Sequence, residues 1–426
     1  MTDDTEIPKR PPSAERGDGQ GRLQDTVMTL PHGSWTMTRP DGHRTRLRAW
    51  DSADELLLQH VAGLDVAPDA TTVIVGDSYG ALCVPLAGLH PTVVVDRWSS
   101  RQAIESNAAA NGVDSALLQV VDALAPLPER IDVALIRPAR SLTMLEHQLR
   151  SLAPGLHADS VVVASSMVKH LHTSTLEVFE RVLGPTTTSL AARRARLIHS
   201  VPRDRSSTTD STGSTGSTSE RVTGRWDWPQ RTQIEPGPLR LEWMPGVFSA
   251  GKLDRGTALL LEQMPAIEPG DTVIDLGCGN GVLGLVAALD QPDAAVTLVD
   301  DSSMAVAAAR ATLDANGVMG HAVWGDGLTD WDAADAAAAG FDRSGPAEDS
   351  VDVVLCNPPF HDDHALVDAV AWKMFREARR ALRPGGEMWV VGNRHLGYHV
   401  KLRRLFGDVD VVSSDPKFVV LRSVCP

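Results

Sequence analysis

Short, continuous apolar runs recur along this chain, and each stops abruptly at glycine, proline or a charged residue. Residues 72–75 (TVIV) run into Gly76, 93–95 into Asp96, and 131–136 into Arg137 and Pro138, while 160–164 closes a first series. A second series starts at Thr272 and reaches its most apolar stretch at 351–356, which halts at Asn357, Pro358, Pro359 and Phe360. Runs this short and this rich in valine predict strands buried on both faces. Amphipathic spacing over 52–64 predicts a helix, with Ser52 as its cap and Glu55 completing a capping box. An apolar helix is also predicted after Gly80, and 22–48 reads as β-like, with Arg44, Arg46 and Arg48 alternating. Strands alternating with helices predict an α/β fold with mostly parallel twisted sheets flanked by helices.

The two series match each other in order. Gly76-Asp-Ser-Tyr-Gly80 aligns with Gly277-Cys-Gly-Asn-Gly281, Val94-Val95-Asp96 with Leu298-Val299-Asp300, and Asn111-Gly-Val113 with Asn316-Gly-Val318. Asp132–Pro138 aligns with Asp352–Pro358, and Ala153-Pro-Gly155 with Arg383-Pro-Gly385. Order-preserving matches with slowly lengthening gaps predict two tandem Rossmann-like domains arising by duplication. The copies differ at the strand end: Arg137, Ala139 and Arg140 stand where the second has Asn357, Pro359 and Phe360, and Ser78 stands for Gly279. The first copy is therefore expected to be non-catalytic, serving substrate binding or support. Residues 206–220 are almost wholly Ser, Thr and Gly and read as a linker. The expected organisation is a disordered leader over 1–21, a degenerate domain over 22–200, a linker over 201–232 and a catalytic domain over 233–426.

A net charge of −15 on 426 residues excludes a protein that meets polyanions over its whole surface. Charge is uneven, however: between Lys373 and Arg404 nine Lys/Arg face two acids, Glu377 and Glu387. Eight arginines between Arg193 and Arg231 face four acids. Local basic patches of this kind can meet phosphates. The four cysteines form no C-x-x-C pair, so neither zinc nor a disulfide framework is indicated, and a reduced cytoplasmic setting fits. No apolar run approaches membrane-spanning length.

Val273-Ile-Asp-Leu-Gly-Cys-Gly-Asn-Gly-Val-Leu-Gly284 reads as strand, glycine-rich turn and helix start, a place where backbone N–H groups can approach a ligand. Gly279, Gly281 and Gly284 satisfy a dinucleotide fingerprint, but Asp275 would repel a pyrophosphate and no basic residue in the loop offsets it. An acid there suits a cationic ligand. Asp300, ending the next strand, is placed to accept from two ribose hydroxyls. A nucleoside with a positive amino-acid end and no phosphate, S-adenosylmethionine, fits this set. Asp326 is a candidate acceptor for the adenine amine, or a plain turn aspartate; Asp301 is expected to cap the helix after it, together with Ser302.

Asp275-Leu-Gly-Cys-Gly-Asn-Gly281, Asp300 and Asn357-Pro-Pro-Phe360 resemble class I S-adenosylmethionine-dependent methyltransferases acting on an exocyclic amine. Residues 357–366, Ala371-Trp-Lys-Met-Phe375, Gly392-Asn-Arg-His-Leu-Gly-Tyr398 and Lys417-Phe-Val-Val-Leu421 resemble the bacterial ribosomal RNA guanine-N2 methyltransferases, closer to the large-subunit (23S) than the small-subunit (16S) type. The resemblance is strong from Gly246 onward and weaker over 25–200. It implies methyl transfer to guanine N2, with Asn357 and the Pro358 carbonyl accepting from the amine, Pro359 rigidifying the loop and Phe360 stacking on the base. It also implies Asp275, Gly277, Cys278, Gly279, Gly281, Asp300 and Asp326 around the cofactor, with Phe248, Ser249 and Lys252 as a lid. His361, Asp362, His364, Lys373, Arg376, Arg394 and Lys401 are candidate RNA contacts, no metal is called for, and the oligomeric state stays open, a monomer included. Rival readings are an N-methyltransferase of protein glutamine or DNA adenine, where tyrosine typically replaces Phe360, a non-enzymatic RNA-binding scaffold, and a dehydrogenase.

Overall fold

The structure, a computed structural model, describes residues 26–40, 47–203, 230–233, 239–249, 251–359 and 364–426. In the first half, β1 (Val27–Leu30) and β2 (Gly33–Thr36) form a hairpin, followed by α1 (Ser52–Val61), β3 (Thr72–Val75), β4 (Thr92–Val95) and α2 (Trp98–Ala110). Next come β5 (Gln119–Asp122), β6 (Ile131–Ile136), α3 (Leu142–Leu152), β7 (Leu156–Met167), α4 (Thr173–Val182), β8 (Thr186–Thr188) and β9 (Ala195–Ser200). The second half repeats the plan with the hairpin β10 (Gln230–Gln233) and β11 (Arg240–Trp243), then α5 (Arg255–Leu261), β12 (Thr272–Leu276), α6 (Val282–Asp290) and β13 (Ala295–Asp300). It ends with α7 (Ser303–Ala315), β14 (His321–Trp324), α8 (Ala333–Ala338), β15 (Val351–Cys356), α9 (His364–Ala381), β16 (Leu382–Asn393), α10 (Tyr398–Phe406), β17 (Asp410–Ser414) and β18 (Phe418–Val424).

Each half builds a seven-stranded sheet, in the orders β5-β4-β3-β6-β7-β9-β8 and β14-β13-β12-β15-β16-β18-β17. Counted from its own first strand, each sheet has the same order. Six strands run in one direction and one, β9 in the first sheet and β18 in the second, runs against them between its two neighbours. The chain leaves β12 for β13 on one side and later places β15 on the other. The carboxyl end of β12 is thus the switch point, where open α/β sheets leave a crevice.

Polar residues that match between the copies make the same bonds. Asn111 and Asn316, each closing its helix, exchange two backbone hydrogen bonds with Thr36 of β2 and Arg240 of β11 respectively, at 2.7–3.1 Å. Asp132 and Asp352 accept from Thr71 N and Thr272 N at 2.9 and 2.8 Å. A duplication that keeps side chain-to-backbone bonds as well as strands accounts for matches in otherwise divergent halves.

The halves share one apolar core that runs from Met28 through Trp98 and Leu241 to Trp324 and Val420. They meet where the turn after β4 faces the turn after β13. Trp98 N donates to Asp301 O at 2.8 Å, Ser303 N to Asp96 O at 2.7 Å, and the Trp98 and Trp324 rings pack edge to face at 5.0 Å.

Three local expectations change. Asp51, not Ser52, caps α1, and Asp54, not Glu55, completes the capping box. Glu55 is drawn away by the Trp50 indole (3.0 Å) and the Arg193 guanidinium (2.9 Å). After Gly80 there is no α-helix, only turns and a 3-10 turn at Ala87–Leu89. Pro85 lacks the N–H a helix needs, and the buried Asp77 carboxylate takes the N–H groups of Gly80, Leu82 and Cys83. Asp301 does not cap α7; Ser302 is its N-cap, and Asp301 accepts instead from Ser99 of the other half. Arg44, Arg46, residues 1–25 and the whole of 204–229, which contains the 206–220 segment, lie outside the described residues. Among the described residues no helix is long and apolar enough to cross a membrane.

Candidate active site at the carboxyl edge of the second sheet

β12 and β15 are parallel neighbours, both buried, so their ends bring the glycine loop and the Asn357 turn to one edge. Gly279 and Gly281 hold φ of 55° and 81°, the left-handed region that side chains avoid. A Cβ on Gly281 would come within 2.7 Å of Leu298, so this glycine is required by packing. Among the described residues, a Cβ on Gly279 would meet nothing within 4 Å, leaving open space in front of the loop. Cys278 is buried with its thiol pushed well up by that burial, so it lines the loop as a small apolar side chain.

Two carboxylates organise the loop. Asp275 is 1 % exposed; its Oδ2 accepts from Gly284 N in the first turn of α6 at 2.9 Å, and Oδ1 has no hydrogen-bond partner among the described residues. Burial pushes its carboxyl up to about 7, with nearby Asp300 acting in the same direction against the Gly284 N–H. Asp300 accepts from Gly279 N (2.9 Å) and Ser302 N (2.9 Å), so it ties the glycine loop to the start of α7. Burial raises its carboxyl as well, opposed by those two N–H groups.

Asn357 follows β15 directly. Its Nδ2 donates to Thr257 Oγ1 at 2.9 Å and lies 3.4 Å from Asp254 Oδ2. A carboxylate can only accept, so the amide nitrogen must face Asp254 and the amide oxygen must face away. That oxygen is buried and has no partner among the described residues. Asp254 itself is the N-cap of α5, accepting from Thr257 N at 3.1 Å. Neither Asp254 nor Thr257 stood out as part of the site in the sequence; the signal was an aspartate three residues before a threonine at a helix start, facing a strand end a hundred residues away.

The first copy shows the same wiring with charge in place of the amide. Arg137, at the position of Asn357, reaches Asp51 (3.0 Å) and Asp54 (3.0 Å), the counterparts of Asp254 and Thr257, and donates to Ser165 O. Asp54 is buried and its carboxyl pushed up to about 7, burial outweighing Arg137. An ion pair thus fills the place of a free acceptor.

Other predicted residues fall as follows. Pro358 and Pro359 end β15 as the sequence requires, whereas Phe360, His361 and Asp362 lie outside the described residues, as does the His364 side chain. Phe248 is 43 % exposed in a turn ahead of α5, with Ser249 Oγ donating to Lys252 O. Asp326 is held by Lys373, whose Nζ is 3.1 Å from its carboxylate and 2.8 Å from its carbonyl. Lys373 also pairs with Glu377, one turn along α9, so its charge is engaged within the fold. Lys401 is likewise paired, with Asp368 at 2.5 Å. Arg376 and Arg394 are exposed, Arg394 donating to Asp415 O. Tyr398, part of the motif at 392–398, is buried against Phe375 and Gly392 and belongs to the core. Among the described residues no cluster of metal-ligating side chains is present.

Known proteins resemble this chain over most of its length. Residues 25–204 match the family described as RLMG N-terminal domain, and residues 238–422 match methyltransferase small domain. A Streptomyces avermitilis protein called ribosomal RNA large subunit methyltransferase G is 46 % identical over 403 residues, covering 93 % of this chain and 98 % of that one. The chain belongs to the ribosomal RNA large subunit methyltransferase G family. An Erwinia tasmaniensis member is 40 % identical, over 89 % of this chain and 93 % of its own. The fold is also that of the T. thermophilus 16S rRNA N2 methyltransferase solved with AdoMet and guanosine, with a TM-score of 0.67, 20 % identity and coverage of 94 % and 98 % of the two chains. As in the sequence reading, this member of the methyltransferase G family has two Rossmann-like sheets, of which only the second carries the full set of glycine loop, Asp300 and Asn357-Pro-Pro turn.

Proposed function

We propose that the protein transfers the methyl group of S-adenosylmethionine to the exocyclic N2 of a guanine in 23S ribosomal RNA, and that the second domain alone performs the chemistry. The observation that carries this reading is the buried amide oxygen of Asn357, which has no partner among the described residues and is fixed by Thr257 and Asp254 at the switch-point crevice. The cofactor fits the acceptors present: among the described residues open space faces Gly279 and Asp275 keeps one oxygen without a partner, and Asp300 retains lone pairs for ribose hydroxyls. When bound, S-adenosylmethionine supplies an electrophilic methyl on a positively charged sulfur.

Guanine N2 is a poor nucleophile because its lone pair is delocalised into the ring. Asn357 Oδ1 and the Pro358 carbonyl accept from its two N–H groups, hold it in line with the methyl and favour the positive charge that grows on nitrogen. As the N–C bond forms, the S–C bond breaks with its electrons returning to sulfur, and the extra N2 proton passes to water. Acceleration then arises from position and preorganised dipoles, with no strong base required. Phe360 stacks on the base, contributing about 1–3 kcal/mol, after the nucleotide has been exposed or flipped. Exposed Arg376 and Arg394 meet phosphates that set orientation.

Arg137, paired with Asp51 and Asp54, leaves the first domain no free acceptor at the equivalent point, and we assign that domain a non-catalytic role. Four buried free cysteines suit the reducing cytoplasm, where we place the protein. The test is transfer of labelled methyl to 23S rRNA, 16S rRNA, release factors and DNA in parallel. Label in 23S rRNA alone supports the reading; label in protein or DNA overturns it.

A further inference from the structure

Asp96 follows directly on β4, the strand that corresponds to β13, which ends at Asp300, yet it faces the other half of the molecule. Both of its oxygens accept from Ser302 Oγ at 2.9 Å, and Oδ1 also accepts from Ser303 Oγ (3.1 Å) and Met304 N (3.1 Å). It therefore caps α7 across the domain boundary. The exchange is reciprocal: Asp301 accepts from Ser99 N (2.7 Å) and Ser99 Oγ (2.8 Å) at the start of α2. The Trp324 indole closes the clasp by donating to Asp301 O at 2.9 Å and Asp96 O at 3.2 Å.

The Asp96 side of the clasp leads straight into the crevice. Ser302, held by Asp96 through its hydroxyl, donates its own N–H to Asp300 Oδ1, and Asp300 Oδ2 takes Gly279 N. Three consecutive links, each near 2.9 Å, join a carboxylate of the non-catalytic domain to the glycine loop. On the other side, the Asp301 carboxylate accepts from Ser99 N and Oγ at the start of α2, and among the described residues no hydrogen bond carries that side chain on to the glycine loop.

We propose that Asp96 is a positioning residue for the cofactor site of the second domain, setting the Asp300 carboxylate and the glycine loop through Ser302. This rests on Asp300 receiving the ribose of S-adenosylmethionine. The duplicated carboxylate has exchanged a ligand in its own domain for control of the ligand site next door, which gives the first domain a role in cofactor affinity that needs no contact with RNA.

The test uses the full chain and its Asp96→Ala, Asp96→Asn, Ser99→Ala and Ser302→Ala variants, with calorimetric S-adenosylmethionine affinity, steady-state methyl transfer and thermal melting. Asp96→Ala removes charge-assisted bonds and should weaken cofactor affinity and raise its KM about tenfold, with kcat at saturating cofactor and KM for RNA within about twofold. Asp96→Asn keeps one acceptor and should recover part of the loss. Ser99→Ala loosens the clasp from the other side, so its melting temperature should fall while cofactor affinity stays within about twofold. Wild-type affinity in folded Asp96→Ala overturns the proposal, as does a loss that tracks melting temperature equally in Asp96→Ala and Ser99→Ala. If Asp96→Ala fails to fold, Ser302→Ala, which keeps the Asp96 bond to Met304 N, should still weaken the cofactor about threefold; unchanged affinity there overturns the proposal. Absence of cofactor binding by the wild-type chain would instead remove the reading of Asp300 on which it rests.

Discussion

Replacing Asn357 by alanine isolates the residue on which the proposed chemistry depends. The side chain makes one good hydrogen bond, to Thr257 at 2.9 Å, and a longer one to Asp254 at 3.4 Å. Asp254 keeps its capping bond to Thr257 N in the variant, so α5 remains capped. Loss of one neutral hydrogen bond costs about 1 kcal/mol, a fall of about 3 °C in Tm for a domain of this size. The catalytic cost is larger. Oδ1 is buried, without a partner among the described residues, and oriented by two anchors on the nitrogen, so its interaction with a nitrogen gaining positive charge is preorganised. Removing one such group costs about 2.7–4 kcal/mol of transition-state stabilisation, or 10²–10³ in kcat. Single-turnover transfer of labelled methyl to 23S rRNA measures that step, and calorimetry should find cofactor affinity within about threefold of wild type. A folded Asn357→Ala protein with a rate within about threefold of wild type would refute the reasoning. Thr257→Val, which removes the anchor and leaves the amide, should lower kcat about tenfold by letting the amide rotate.

Asp300→Ala should weaken S-adenosylmethionine at least about 30-fold in calorimetry, because it removes the ribose acceptor and unties Gly279 from Ser302; wild-type affinity contradicts the site. Asp275, pushed up to about 7, holds a proton in the folded chain at pH values where the unfolded carboxyl has lost it, so its contribution is fully present below about pH 4 and lost as pH rises through about 7. Melting temperature should accordingly decline over that window, and Asp275→Asn should flatten the decline by about one proton's worth of slope; an unchanged profile contradicts the burial argument. Arg137→Ala leaves Asp51 and Asp54 without their counter-ion and should destabilise the first domain by about 3 kcal/mol in denaturant melts, with cofactor affinity unchanged. Arg376→Glu with Arg394→Glu should weaken RNA binding and lower the salt slope by about two ions without changing cofactor affinity, whereas an undiminished slope removes these arginines from the RNA face.

Strand ends were the most legible part of the sequence because buried parallel strands are continuous apolar runs, and what halts them marks the functional edge. The duplication was legible for a related reason: Asn111 and Asn316, or Asp132 and Asp352, are kept by identical bonds to backbone. Local competition was harder to read. Asp51 and Ser52 are both good caps, and the choice falls to Asp51 because Glu55 is occupied by Trp50 and Arg193. An apolar stretch after Gly80 suggested a helix, yet Pro85 and the Asp77 carboxylate divert its backbone N–H groups. Counting cations over 373–404 treated Lys373 and Lys401 as surface charge, although Asp326, Glu377 and Asp368 engage them. Contacts between the halves, such as Asp301 with Ser99, leave no periodic trace at all, since neither partner's neighbours in sequence announce it.

The most direct test is mass-spectrometric mapping of N2-methylguanosine in 23S rRNA from cells lacking this protein, complemented with the wild-type chain or with Asn357→Ala. The account predicts that one 23S guanosine loses its N2-methyl group, that the wild-type chain restores it, and that Asn357→Ala does not. An unaltered set of N2-methylguanosines in 23S rRNA, or restoration by Asn357→Ala as complete as by wild type, would contradict it.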